Sequence, residues 1–289
     1  MSEAGLVLVA IVPGLLWLWF FVRLDRIRPS SRRWIALTLL FGVLSTVPVA
    51  LVEGVGLFLL GLLETVPRSE SRLATTAIVM LGVVGPVEEA GKFLAVRLGV
   101  YRSLHFEEPL DGLVYGAAAS LGFASLENLL YVLVWGPEVM LLRAPFSTLG
   151  HVVFGSAWGY GLGLRRSGRG TWVVWGSLAA AAALHGAFNI LLFTSVPWSG
   201  LALAVIGGAC VYWLFTWGQR VSPFRHRSNL ALVPCVECGE LVTARSRYCR
   251  FCGVRQGRRA RASLICGSCK QDNRGDAHFC TTCGDQLLA

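Results

Sequence analysis

Long apolar blocks fill the first three quarters of the chain and stop abruptly near residue 219. A helix needs about 20 apolar residues to cross the hydrocarbon core of a bilayer. Seven stretches reach that length: 5–24, 34–62, 73–101, 112–136, 142–164, 171–194 and 198–218. The pattern predicts an all-α polytopic membrane bundle of about seven transmembrane helices over residues 1–218. A linker over 219–234 and a small cysteine-rich tail over 235–289 follow it. The second stretch is overlong and carries Glu53-Gly54, which predicts a kink or a re-entrant turn there. The third is expected to break at Gly85-Pro86, because proline removes a helical hydrogen bond. The first is too long, and too poor in an n-region, for a cleaved signal peptide, and reads as a true span.

Composition agrees. Only 15% of the residues are charged and 54% are hydrophobic, whereas soluble domains carry about 25% charged residues; mean hydropathy is +0.59. The net charge of +9 is almost wholly arginine, since Lys92 and Lys270 are the only lysines, a bias that points to a GC-rich, bacterial genome. Those arginines predict an orientation. Arg23, Arg26, Arg28, Arg32 and Arg33 follow the first span, Arg97 and Arg102 the third, Arg165, Arg166 and Arg169 the fifth, and Arg220, Arg225 and Arg227 the seventh. The alternate loops hold only Arg68, Arg72 and Arg143. By the positive-inside rule the N-terminus is expected outside and the C-terminus in the cytoplasm. Cys210, alone in the seventh span, reads as a small packing residue.

An ionisable group at mid-bilayer costs at least about 2.5–3.5 kcal/mol, so each one in a span is a candidate for function. The third span carries Glu88, Glu89 and Lys92, the fourth Glu127-Asn128, the fifth His151, and the sixth His185 with Asn189. Glu88 and Lys92, and likewise His185 and Asn189, are four residues apart and share a helical face. Glu88, Glu127, His151 and His185 each lie thirteen to fifteen residues from the arginine-rich end of their span. That places all four about 20–22 Å into a core of about 30 Å, in one layer displaced towards the outer leaflet. Taken singly, Glu88 or Glu89 could pair with Lys92, and Asn128 and Asn189 could bond across helices. Glu53, Glu64, Asp111 and His105 fall at span ends or kinks and read as structural. Asp111 is expected to N-cap the fourth span, and Arg143-Ala-Pro145 to start the fifth.

Such a layer can activate water. A carboxylate in a water-filled, low-dielectric cavity can act as a general base. A neighbouring histidine can share the proton, and a second histidine with an asparagine four residues on can donate to a developing oxyanion. Gly-x-Ser-x-Gly, His-Glu-x-x-His and a phosphate-binding glycine loop are all missing, which weakens serine, zincin and nucleotide-driven readings. A proton-coupled transporter would also use buried Glu and His, but would favour an inverted repeat that this sequence lacks.

At these residues the chain resembles the PrsW family of bacterial intramembrane proteases, itself related to the CAAX prenyl endopeptidases. The matching blocks are Pro86-Val87-Glu88-Glu89-Ala90-Gly91-Lys92; Asp111 through Gly122-Phe123 to Glu127-Asn128; Pro145 through His151 to Gly159; and His185 through Asn189. The resemblance implies a glutamate-dependent endopeptidase that cuts membrane-anchored proteins, such as anti-sigma factors, near the outer face. It implies that Glu88 or Glu89 activates water with Glu127 and His151, and that His185 and Asn189 stabilise the oxyanion. A metal-dependent version, with Glu88, His151 and His185 as ligands, stands as the alternative, as does a prenyl-protein endopeptidase.

The tail repeats itself. Cys235, Cys238, Cys249 and Cys252 recur 31 residues on as Cys266, Cys269, Cys280 and Cys283. Two Cys-x2-Cys knuckles close a tetrahedral thiolate site, and Gly239, Gly253 and Gly284 suit the tight turn after the knuckle. The spacing predicts a double zinc ribbon with two structural Zn2+, four ligands each and no open position. The tail is expected to bind a cytoplasmic protein or regulate the protease. Nucleic acid is not expected, because few aromatics accompany Arg255, Arg258, Arg259 and Arg261; those arginines could instead meet anionic lipid.

Overall fold

In a solvent that offers no hydrogen bonds the backbone must satisfy itself, and each of the seven apolar stretches is helical over most of its described residues. The computed structural model describes residues 2–25, 29–59, 73–193, 197–222, 232–243, 248–249, 251–256, 263–274 and 279–287. Glu64, most of the expected linker (223–231) and several counted arginines (Arg26, Arg28, Arg68, Arg72, Arg225, Arg227, Arg258, Arg259 and Arg261) lie outside the described residues.

Helix α1 spans Glu3–Leu24 and α2 Arg32–Leu59. The third span comprises α3 (Leu73–Val79), a π-helical turn (Met80–Val84) and α4 (Gly85–Leu98). α5 covers Pro109–Trp135. A short helix α6 (Met140–Leu142) and a second π-helical turn (Arg143–Ser147) lead into α7 (Thr148–Arg166). α8 (Trp172–Phe193) and α9 (Pro197–Val221) complete the bundle. Among the described residues, six helical spans are long and apolar enough to cross a membrane. α7 falls short because it carries five glycines, His151 and Ser156. It can afford them, since α5, α8 and α9 shield it from lipid. α5 lies at the centre, buried along most of its length between α1, α2 and α7.

Several local expectations change. α2 runs unbroken through Glu53-Gly54; one glycine costs a helix only about 1 kcal/mol, too little to break it against packing on α5. The third span does not break at Gly85-Pro86: a π-helical turn over Met80–Val84 leads directly into α4, which carries Pro86 in its first turn, where proline costs no helical hydrogen bond. Asp111 caps α5 from its third position rather than as N-cap: Glu108 is the N-cap, and Asp111 Oδ2 accepts from the Glu107 and Glu108 amides at 2.8 and 3.0 Å. Cys210 is exposed on α9 instead of packed, because the buried positions of that helix fall on other faces, at Ala204, Val211 and Phe215.

The tail forms two small hairpins in the same register. β1 (Leu232–Pro234) pairs antiparallel with β2 (Leu241–Thr243), and β3 (Ser263–Ile265) with β4 (Asp272–Arg274). Val233 faces Val242 across the first hairpin and Leu264 faces Asn273 across the second, a 31-residue shift in both strands. Helix α9 ends three residues past the hydropathy boundary and β1 begins before the first cysteine.

Candidate active site and metal centres

Two close helix contacts aim the polar residues. Gly112 and Gly116 of α5 lie against the backbone of Gly159 and Gly155 of α7, so that a Cβ on either side would meet a carbonyl group. Small residues four apart permit this approach in lipid. Further along the same pair of helices, Glu127 Oε2 reaches His151 Nε2 at 2.9 Å. On the other flank, Gly85 packs on the Ala182 carbonyl of α8, and Gly186 packs on Met80 and Leu81 of the π-helical turn. That contact sets Glu88 and Glu89 beside His185.

Glu89 is fully buried and fully bonded. Its Oε1 accepts from Lys92 Nζ at 2.6 Å and from His185 Nδ1 at 2.8 Å, and its Oε2 accepts from Trp158 Nε1 at 2.8 Å. Lys92 Nζ also lies 3.2 Å from Glu88 Oε2, 3.0 Å from His151 Nδ1 and 4.6 Å from the centre of the Phe123 ring. A buried ammonium is tolerated only with such partners. Glu127 Oε2 lies 2.9 Å from Arg143 Nη2. Arg143 in turn donates from Nε to Asn128 Oδ1 at 2.8 Å and stacks 3.7 Å over Tyr131. Asn128 Nδ2 donates to Thr148 Oγ1 at 3.1 Å, tying α5 to α7.

Glu88 differs from its neighbours. Its Oε2 is buried without a hydrogen-bond partner, as is Glu127 Oε2, but where Glu127 has Arg143 and His151 at 2.9 Å the nearest partner of Glu88 is Lys92 at 3.2 Å. It lies 3.8 Å from His185 Nε2 and 3.9 Å from His151 Nδ1. An ionised carboxylate only accepts, so His185 Nδ1–H must donate to Glu89 and His151 Nε2–H to Glu127. The remaining nitrogen of each neutral ring then carries a lone pair: His185 Nε2 turns it towards Glu88, and His151 Nδ1 lies between Lys92 Nζ at 3.0 Å and Glu88 Oε2 at 3.9 Å. Ligand atoms of Glu88, His151 and His185 all lie within 4.8 Å of one another. Each histidine is backed by a carboxylate, the arrangement that orients imidazoles around a divalent metal. With its orphaned oxygen at the centre, the donor set fits such an ion.

Glu88, Glu127, His151, His185 and Asn189 line one cavity of about 860 Å³, with Phe146, Leu192, Trp198 and Leu201 among its apolar walls. Glu89 is not among the residues lining it. The cavity includes two residues that sequence reasoning sets aside, Glu53 and Arg143. Glu53 reads as a kink residue, yet α2 is continuous there and Glu53 Oε1 is buried with no hydrogen-bond partner. A carboxylate nineteen residues into the apolar stretch 34–62 is the available signal. Arg143 reads as a helix start; its presence in an otherwise arginine-poor loop, eight residues before His151, is the clue.

The tail holds two further donor sets, Cys235, Cys238, Cys249 and Cys252, and Cys266, Cys269, Cys280 and Cys283. The Sγ–Sγ separations include 3.6 and 3.7 Å in the first set and 3.4 and 3.5 Å in the second. A tetrahedron with bonds of about 2.3 Å to zinc has edges of about 3.8 Å, so both sets fit a four-thiolate site. Burial pushes the Cys235 thiol up, but the amides of Cys238 and Glu237 and the Gln256 side chain outweigh it and bring it down to about 6. Each knuckle closes on itself, as in Gly239 N to Cys235 O at 3.0 Å and Gly253 N to Cys249 O at 2.8 Å. The residue after the knuckle is left-handed in all four: Gly239, Gly253, Gly284 and, at φ 61°, Lys270.

A family model described as PrsW family intramembrane metalloprotease matches residues 30–217. The chain is 30% identical over 196 residues to a Geobacillus kaustophilus protein named Protease PrsW, covering 67% of this chain and 82% of that protein. It is 28% identical over 198 residues to Protease PrsW of Bacillus subtilis, covering 67% and 85% respectively. With the Clostridioides difficile protein of the same name it shares 26% identity over 211 residues, covering 70% and 85%. No solved structure matches the chain. The matched region holds every residue of the membrane cavity and ends before the first tail cysteine. On that match this bacterial multi-pass membrane protein belongs to the PrsW family of intramembrane metalloproteases, and it is a protease.

Proposed function

We propose that the chain is a metal-dependent endopeptidase that cuts membrane-anchored proteins, with Glu88, His151 and His185 as the ligands of the catalytic ion. The observation that carries this reading is the buried, unbonded Glu88 Oε2 facing two imidazole nitrogens whose far sides are held by Glu89 and Glu127. A divalent cation held there supplies Lewis acidity and lowers the pKa of a bound water. Glu89 and Glu127 are then positioning residues that fix the tautomer and angle of His185 and His151. With its Nδ1–H committed to Glu89, neutral His185 has no N–H left for an oxyanion, so that role passes to Asn189, with the Arg143 guanidinium also in the cavity. Glu127 Oε2 lies 2.9 Å from both Arg143 Nη2 and His151 Nε2, whereas among the described residues no ion pair engages Glu53. Glu53 is therefore the carboxylate assigned to take the water's proton and return it to the leaving amine. The apolar walls suit the side chains of a transmembrane segment.

One contact favours a second reading. Lys92 Nζ, 3.0 Å from His151 Nδ1, takes the lone pair a metal would need. In that case water sits between Glu88 Oε2 and His185 Nε2, with Glu88 as general base, and the enzyme is glutamate-dependent. Metal content of the purified full chain decides between them. Three ions per chain, falling to two in Glu88→Gln, support the metal site; two in both support the glutamate mechanism. Membrane proteomics comparing wild type with Glu88→Gln tests the protease itself, and a membrane protein that stays uncut only in the variant is the expected result. The arginine distribution supports a cytoplasmic tail, which places the cavity towards the outer leaflet and makes anti-sigma-like substrates cut near the outer face the class to search. Zinc is the metal assigned to the tail, as a structural ion.

A further inference from the structure

The two ribbons are copies, but they do not stand in the same relation to the helical domain. The Phe251 ring of the first lies flat on the His105 imidazole, with centroids 4.2 Å apart and planes 4° apart. Trp34 of α2 packs against the same imidazole at 5.8 Å. Glu240 Oε1 accepts from Ser31 Oγ at 2.7 Å. The Ser31 carbonyl accepts the first hydrogen bond of α2, so the Glu240 carboxylate also meets the positive end of that helix dipole. Among the described residues, no hydrogen bond, ion pair or ring contact joins the second ribbon to the helices.

The 31-residue repeat explains the asymmetry. Where the first ribbon has Glu240 and Phe251, the second has Gln271 and Thr282. A neutral amide cannot answer the helix dipole, and threonine has no ring to stack. Both docking residues belong to metal-binding loops. Phe251 lies between Cys249 and Cys252, and the Glu240 carbonyl accepts from the Cys235 amide at 2.8 Å. Loops this small hold their shape only while the metal holds the cysteines.

We infer that the first ribbon is a metal-dependent latch whose partner is the chain's own helical domain, while the second is left unlatched. The latch clasps the N-terminus of α2 and the connection 99–108 between α4 and α5. That connection leads from the helix carrying Glu88 to the helix carrying Glu127. Metal occupancy of the tail is thereby tied to the spacing of two cavity helices, although the cysteines are far from the cavity in sequence and on separate elements.

Hydrogen exchange on the full chain in nanodiscs, with tail metal measured in parallel, tests the latch. Phe251→Thr combined with Glu240→Gln gives the first ribbon the residues that the second ribbon carries at these positions and leaves all eight cysteines in place. Amides of 101–108 and 32–35 are expected to exchange about tenfold faster than in wild type, with tail metal unchanged. His105→Ala, on the other side of the contact, should give the same increase, and adding it to the double variant should give no more. The matching change in the second ribbon, Thr282→Ala with Gln271→Ala, should leave these amides at wild-type rates. Unchanged exchange in the first variant, or an equal response to the second-ribbon variant, overturns the latch. A first-ribbon variant that loses tail metal is read through His105→Ala, which leaves the ribbon intact.

Discussion

The membrane cavity and the tail both gather side chains able to ligate a metal, and they do it in opposite ways. Each ribbon draws four thiolates from 18 consecutive residues, so one hairpin and two knuckles suffice. The cavity draws Glu88, His151 and His185 from three helices, with Glu53 and Glu127 from two more. Four thiolates in each tail set would fill every position around a tetrahedral ion and keep no open site. The cavity leaves one oxygen each of Glu53, Glu88 and Glu127 without a hydrogen-bond partner beside apolar walls. A closed set stabilises a fold; an open one can act on a substrate.

Exchanging one ligand on each side gives the largest separation. Glu88→Gln should lower substrate cleavage about a thousandfold while the tail keeps its metal, whereas Cys280→Ser should lose one tail metal and leave cleavage at the wild-type rate. Equal loss of cleavage in both variants would remove the distinction between a working and a structural site.

Glu53→Gln comes next. Removing the proposed proton acceptor should cost about a hundredfold in rate with little change in substrate affinity. An unaltered rate would return the proton to Glu127 or Glu88. Packing effects should be smaller still. Gly186→Val drives a side chain into the Met80 carbonyl and Leu81, and overpacking of this kind costs about 1–3 kcal/mol. Thermal unfolding in detergent should show the bundle destabilised, with no change in tail metal. The smallest effect is expected in the second ribbon. Lys270 occupies a left-handed turn that glycine fills at the other three knuckles, so Lys270→Gly should stabilise that ribbon by about 1 kcal/mol, measured as tighter metal retention against a chelator.

Much of the site is legible in the sequence because lipid penalises each ionisable group it encloses. Glu88, Glu127, His151 and His185 stand out one by one, and their equal depth already suggests a layer. Glu53 and Arg143 escape because the neighbouring Gly54 and the nearby Pro145 offer sufficient reasons for broken structure at each position. Continuous α2 and the π-helical turn over Arg143–Ser147 show that neither position is a chain break. The division of labour between Glu88 and Glu89 is not legible at all. Adjacent residues on a helix point about 100° apart, and only the neighbouring helices decide which carboxylate meets Trp158 and which faces the cavity.

By itself the sequence determined the helical bundle, its spans, the polar layer and the paired thiolate sites. Each follows from local properties: the length of an apolar run, the cost of a charge in it, and the spacing of ligands on a short loop. Only the tertiary structure decided which groups face each other around Glu88, that Glu53 and Arg143 join them, and that the first ribbon rests on the helices. Those outcomes depend on how closely separate helices approach, which here is set by glycine contacts between α5 and α7 and between α4 and α8 and by an aromatic stack across 146 residues of chain.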